Sequence, residues 1–346
     1  MDPKDVFLSV LTGGNCSKVP FLPRDLTLGM DELNITTSEV FGDEYNSEKS
    51  AECVLALQKR LGHDVTVGCI FSYGLDGIGG KMSHSQYGIP FMSEYAFADP
   101  DSLNKYEPSD VIGKLQKGMR KSCEIVKKKR PDLALAVNVP GPMTMAGFAR
   151  GVEPLMMDLV SDSDFAERLL KFSKEMVSEE IKYISEGIAD AVFFASATDN
   201  PDMVGIDEYV DYSVKHVKSL VSECHDMGLP TVYHPHGVFS TDDRKDILLA
   251  SLDTGTDGFQ FSEGNEPEDM LETCRGKCCI LGGVNAYSTL LLGPDERIVR
   301  DTRKYLDTFK GERYIMTCSC SVNRGLPLNN LDVMAKTIHS FNEGTL

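Results

Sequence analysis

The sequence predicts an α/β fold, a single (β/α)₈ TIM barrel formed by one domain over residues 1–346. Three observations predict it. Eight short runs rich in Val, Ile and Phe recur along the chain, as strands buried on both faces require. Amphipathic segments of helical period separate most of them. The length is within the range of one such barrel. The expected strands lie near Val19–Leu22, Val65–Phe71, Leu133–Val139, Ala191–Ser196, Thr231–His234, Gly258–Ser262, Cys279–Gly283 and Tyr314–Thr317. Helices are expected over Asp164–Glu186, Asp207–Met227, Asp242–Leu252 and Pro294–Phe309. Ser161 or Ser163 can cap the first of these, and Gly187 and Gly228 can close the first two. A segment before the first strand reads as an N-terminal extension. The glycine-rich stretch near 74–100 reads as a long loop, either functional or a plain surface excursion.

Composition narrows the function. A formal charge of -18 and a pI near 4.8 argue against nucleic acid and other polyanionic partners, which need clustered Lys and Arg. Residues 1–18 lack the basic start and longer apolar stretch of a secretion signal, and no segment reaches the roughly 18 apolar residues of a membrane span. Ten cysteines without a C-x-x-C step, in a chain too large to need disulfide staples, point to a reducing, cytoplasmic setting. No glycine-rich phosphate loop sits at a strand-to-helix turn, so a nucleotide site is not expected.

Parallel barrels place their chemistry at the C-terminal ends of the strands. In Tyr233-His234-Pro235-His236-Gly237, residues 234 and 236 of an extended chain point the same way, and Pro235 stiffens the backbone between them. Two solvated loop histidines are the plainer alternative. Thr317-Cys318-Ser319-Cys320 ends the last expected strand and opens on the same rim, where either cysteine can also be a small buried hydrophobe. His234, His236 and Cys320 together make a three-ligand zinc set, and the long sequence separation favours a catalytic site over a zinc finger. Glu263 ends another strand and can supply a fourth ligand or accept an imidazole N–H. Asp199 and Asn285 are strand-end polar groups that can orient a substrate or cap a loop. Tyr73, Met143, Met145 and Phe148, with Tyr87 and Phe91, either line a flat apolar pocket or belong to the core.

Several of these residues resemble the uroporphyrinogen decarboxylase superfamily, and within it the zinc-dependent, corrinoid-linked methyltransferases. The likeness is carried by Pro140-Gly141-Pro142-Met143-Thr144, by Tyr233–Gly237, by Ile280-Leu281-Gly282-Gly283-Val284-Asn285 with Leu290-Leu291-Leu292-Gly293-Pro294, and by Cys320 with Pro327-Leu328-Asn329-Asn330 downstream. The seven-residue step from Cys320 to Pro327 matches the family spacing and favours Cys320 over Cys318 as the ligand. The Met-Arg-Gln-Ala-Gly run of the decarboxylase is absent, since Leu22-Pro23-Arg24-Asp25 stands in its place. The resemblance implies methyl transfer with a zinc ion, a corrinoid carried by a partner protein, and a small-molecule methyl donor or thiol acceptor. Homo-oligomerisation is compatible with it. Relatives that methylate coenzyme M are expected to ligate zinc through His-x-Cys and a later Cys, whereas this chain has His236 at the second position. Exchange of a thiolate for an imidazole makes a harder Lewis acid, which favours O-demethylation of a methoxylated aromatic compound over thiol methylation. Arg24 or Arg150 then becomes a candidate partner for a benzoate carboxylate.

Overall fold

In the computed structural model, residues 1–14 and 18–345 are described. Eight strands form one parallel sheet: β1 (Phe21–Leu22), β2 (Val65–Thr66), β5 (Ala134–Pro140), β6 (Ala191–Ser196), β7 (Thr231–Pro235), β8 (Gly258–Gln260), β9 (Cys279–Val284) and β10 (Tyr314–Cys318). Their spatial order is β1-β10-β9-β8-β7-β6-β5-β2, so sequence order runs around a nearly closed barrel. The seam between β1 and β2 has no ladder. It is bridged by single bonds, from Asp64 N–H to the Phe21 carbonyl at 3.0 Å and from Phe21 N–H to the Asp64 carboxylate at 2.8 Å.

All eight expected strands are present: β1, β2 and β8 are shorter than expected, β5 is shifted by one residue, and β7, β9 and β10 run one residue further. The run at 65–71 pairs over only two residues because Gly68 takes φ +86°, which leads the chain out of the ladder. A Cβ at Gly68 would lie 2.8 Å from Leu135, so this close approach also demands glycine. The Ser163–Ser185 helix is capped by Asp162, whose carboxylate accepts from Phe165 N–H at 3.2 Å, and not by either neighbouring serine. The segment expected as one helix from Asp207 instead passes through a π-helical stretch, Tyr209–Val214, before the α-helix Lys215–Asp226. Inside the 74–100 loop lies an antiparallel hairpin of β3 (Lys81–Ser83) and β4 (Phe91–Glu94).

Alternation along the strands sorts side chains into two cores. Leu22, Val65, Ala136, Phe193, Val232, Leu281 and Ile315 point inward and form one cluster. Val137, Phe194, Tyr233, Ile280 and Met316 point outward to the helices. The N-terminal extension is a helix, Pro3–Leu11, which places Phe7, Val10 and Leu11 in the inner cluster. Lys4 N–H donates to the Asp132 carbonyl just before β5, and Arg313, just before β10, donates to the Leu11 carbonyl at 2.6 Å. The helix therefore closes the end of the barrel where strands begin, leaving the opposite end as the mouth. Each of its buried side chains contributes roughly 1.5–3 kcal/mol of apolar burial. Cys16 lies outside the described residues, and the other nine cysteines are free. Among the described residues no helix is long and apolar enough to cross a membrane.

Candidate metal centre

The mouth of the barrel is a polar layer set on that apolar floor. His234 is fully buried on β7, and its neighbour Tyr233 points the other way, within 3.1 Å of Ser213 and 3.2 Å of Tyr209. This outer network pins the strand that carries His234. Two residues on, His236 continues the ladder through its N–H to the Ser196 carbonyl, and Gly237 at φ +119° turns the chain away. The two imidazoles therefore share a face, with ring centroids 5.0 Å apart at 64°.

The third member arrives by a different route. In β10, Ile315 and Thr317 face inward while Cys318 packs with the outer core. The chain then bends: Ser319 N–H donates to the Val284 carbonyl, and Ser319 Oγ accepts from Ala286 N–H at 3.1 Å. Cys320 swings into the mouth, 3.6 Å from His236 Nε2. One ligand atom from each of His234, His236 and Cys320 lies within 4.8 Å of the other two.

The donor set fits a zinc ion. His234 Nδ1 lies 3.1 Å from the Gln260 carbonyl, which can only accept, so the proton sits on Nδ1 and Nε2 carries the lone pair. That Nε2 is buried with no hydrogen-bond partner. Burial, reinforced by the Arg24 charge, pushes the His234 pKa down to about 4, so the ring is neutral near pH 7. Burial alone would raise the Cys320 thiol, but its close approach to the His234 and His236 rings and the Arg24 charge outweigh it and hold the sulfur well below the usual thiol range. A thiolate and neutral imidazoles are the forms that bind zinc.

Gln260 is not among the candidates that the sequence singles out. Its backbone carbonyl orients His234, and its side-chain amide donates to the Cys318 carbonyl at 2.9 Å, tying β8 to the bend that delivers Cys320. A polar residue alternating inward among Gly258, Phe259 and Phe261 was the available signal.

The remaining candidates divide. Arg24 is buried beside the centre, with Nη2 3.7 Å from Cys320 Sγ and its guanidinium 4.9 Å above the Phe193 ring. Tyr73 stacks on Phe148 at 4.3 Å and receives the Asn138 amide at 3.4 Å, so it borders the same chamber. Glu263 stands outside the three-residue cluster, half-buried, with Oε2 unpartnered. Other positions take structural roles. Met143 and Met145 are packed in the outer core and line no open pocket. Asp199 is fully buried and accepts from Thr144 N–H at 3.0 Å and from the Thr144 and Ser213 hydroxyls, holding the start of the Pro142–Arg150 helix and leaving no free edge for a substrate. Asn285 spends its Oδ1 on Tyr287 and Ser288 N–H groups at 2.9 Å, as a cap. Arg150 is consumed by Asp158 at 2.7 Å and by the Phe97 and Ala98 carbonyls.

The family model for uroporphyrinogen decarboxylase (URO-D) matches residues 2–341. The chain belongs to the URO-D family. Among curated relatives, the methylcobamide:CoM methyltransferase MtaA of Methanosarcina barkeri (strain Fusaro / DSM 804) is 22% identical over 347 residues, covering 96% of both chains. A second M. barkeri protein of that name is 22% identical over 231 residues, 66% of this chain and 65% of its own length. A methyltransferase from Methanosarcina mazei superposes with a TM-score of 0.84 at 20% identity, over 99% of each chain. A B12-independent methionine synthase from Shewanella sp. W3-18-1 gives a TM-score of 0.56 at 14% identity, over 95% of this chain and 96% of its own. At these identities the structural likenesses establish the barrel fold of this URO-D member.

Proposed function

We propose that this URO-D family member is a zinc-dependent methyltransferase that moves a methyl group from a methoxylated aromatic compound to a corrinoid carried by a partner protein. The observation that carries the oxygen-activating direction is His236, an imidazole in the second ligand position. With Cys320 as the single thiolate, zinc held by His234, His236 and Cys320 would keep a net positive charge and act as a Lewis acid on an ether oxygen. The chain's own residues supply the rest. Gln260 fixes the His234 tautomer, so no proton competes for Nε2. Arg24 adds positive charge where an oxygen gains negative charge as its methyl group departs. Tyr73 and Phe148 form an aromatic wall.

A corrinoid partner needs a face to dock on. Tyr87, Ile89 and Phe91 on the hairpin and Tyr287, Leu291 and Leu292 beyond β9 are exposed apolar side chains on loops at the mouth. Ile89, Tyr287 and Leu291 border one groove of about 380 Å³ that also includes Ser321, next to Cys320.

The relatives' names favour a second reading, in which methylcobamide donates to the thiol of coenzyme M. Purified protein supplied with cob(I)alamin and methoxybenzoate, or with methylcobalamin and coenzyme M, separates the two. Turnover with the ether alone is expected, and turnover with the thiol alone would sink the oxygen-activating reading. Elemental analysis should find about one tightly bound zinc per chain, and less than about half an equivalent counts against both.

A further inference from the structure

Two arginines near the mouth, Arg24 buried and Arg324 half-buried with its side chain tucked in, are treated in opposite ways. Arg324 is saturated: Nε donates to Asp31 at 2.8 Å, Nη1 to Thr37 Oγ1 at 2.9 Å and Nη2 to the Ile35 carbonyl at 2.6 Å. Arg24 has no carboxylate partner among the described residues, and its Nε and Nη1 are buried without any hydrogen-bond acceptor. Among the described residues, the one hydrogen-bond partner of its guanidinium is Cys320 Sγ, through Nη2. The adjacent Asp25 does not help, because its carboxylate accepts from Leu28 and Gly29 N–H groups.

Such a group is costly. A buried cation lacking acceptors forfeits several kcal/mol of solvation, and stacking on Phe193 returns only about 0.5–2 kcal/mol. The backbone adds to the cost, since Arg24 sits at φ +49°, a left-handed conformation disfavoured for a residue with a Cβ. It is held there by flanking contacts with the segment after Cys320: Val322 N–H donates to the Arg24 carbonyl, and Leu26 N–H to the Val322 carbonyl. Strain and an unpaired charge coincide at one residue, which faces the chamber between Cys320, Phe193 and Tyr73. Asn138 Oδ1, also buried and unpartnered, borders that chamber through the bond from its amide to Tyr73.

We infer that Arg24 is a specificity residue that binds an anionic group, a carboxylate or sulfonate, of the small substrate activated at the metal centre. Arg24 Nη2 already faces the ligand sulfur at 3.7 Å, and the unpartnered Nε and Nη1 are left to donate to an anion in the same chamber. A methoxybenzoate and a short thiol acid both carry such a group, so the inference rests on the metal-dependent reading above but not on its direction.

Calorimetric binding to the zinc-loaded and the chelator-treated protein tests it without turnover. The probes are 2-methoxybenzoate and 2-methoxybenzamide, with 3-mercaptopropionate and 3-mercaptopropionamide as the thiol pair. In wild type, at least one acid should bind about tenfold or more tightly than its amide. Arg24→Gln should reduce that preference below about twofold while zinc content and amide affinity persist, and Arg24→Lys should retain part of it. The aromatic or thiol pair that responds identifies the substrate class. Equal affinity of acid and amide in wild type, binding of neither, or a preference surviving in Arg24→Gln would overturn the inference. Because wild type alone supplies the acid-to-amide ratio, a misfolded variant does not rescue it. Loss of zinc uptake would defeat the metal reading separately, and the chelator-treated arm still reads Arg24 on its own.

Discussion

The two ends of this barrel are built to opposite rules. At the closed end, Phe7, Val10 and Leu11 fill the space between strand starts with apolar surface, and Arg313 and Asp132 tie the helix down. Of the thirteen buried side-chain polar atoms without partners among the described residues, six lie on inward-facing residues at the mouth: Arg24 Nε and Nη1, Asn138 Oδ1, His234 Nε2, Gln260 Oε1 and Thr317 Oγ1. Folding normally eliminates such atoms. Their concentration within one chamber marks the end of the molecule where stability has been yielded to binding.

Replacing Cys320 by Ala should break this comparison most sharply. Zinc content should fall below about a tenth of an equivalent and methyl transfer by about a thousandfold or more, while the melting temperature of the metal-free protein stays near wild type. Cys318→Ala, two residues away but in the outer core, should keep its zinc and lose about 1 kcal/mol in denaturant unfolding. At the closed end the pattern inverts. Phe7→Ala should lose about 3–5 kcal/mol, with zinc per folded molecule unchanged by metal analysis.

Gln260→Met sharpens the comparison at the mouth. It keeps the backbone carbonyl that holds His234 but removes the tie to the Cys318 carbonyl, so competition with a chelator should show zinc affinity weakened by about tenfold. The smallest effect concerns Glu180, an unpartnered carboxyl on the Ser163–Ser185 helix, away from the mouth. Burial raises its pKa to about 8. The folded state therefore holds a proton that the unfolded chain releases near pH 4.5, and stability falls as pH rises from about 4.5 through 8. Glu180→Gln should flatten that slope in thermal melts. It should gain only about 1 kcal/mol at pH 9, because the amide is still buried short of partners, and it should leave zinc content unaltered. A Glu180 variant that lost zinc would show that this distant carboxyl is coupled to the mouth.

Much of this was legible in the chain. Buried parallel strands write themselves as apolar runs, and all eight were found in order. The i, i+2 histidines could be placed on one face because strand geometry is local. The helix cap at Asp162, the π-helical stretch and the short β2 were not legible, since each depends on which turn the packing selects. The substrate-side residues fared worst. Asp199 and Asn285 are strand-end polar groups of the right type, and only their hydrogen bonds reveal that one anchors a helix start and the other caps a turn.

By itself the sequence determined the barrel, its strand order and the chemical kinds of three candidate ligands, because periodicity and residue type are properties of the chain. Tertiary structure decided which of those groups are free. Arg24 and Arg150 look alike in sequence, yet one is buried beside Cys320 with two nitrogens unpaired and the other is consumed by Asp158. Cys320 reaches the centre and Cys318 does not, because a bend beyond β10 reverses the alternation that strand geometry would impose. Availability of a polar atom is settled by what packs against it, across separations of up to about three hundred residues between Arg24 and Cys320.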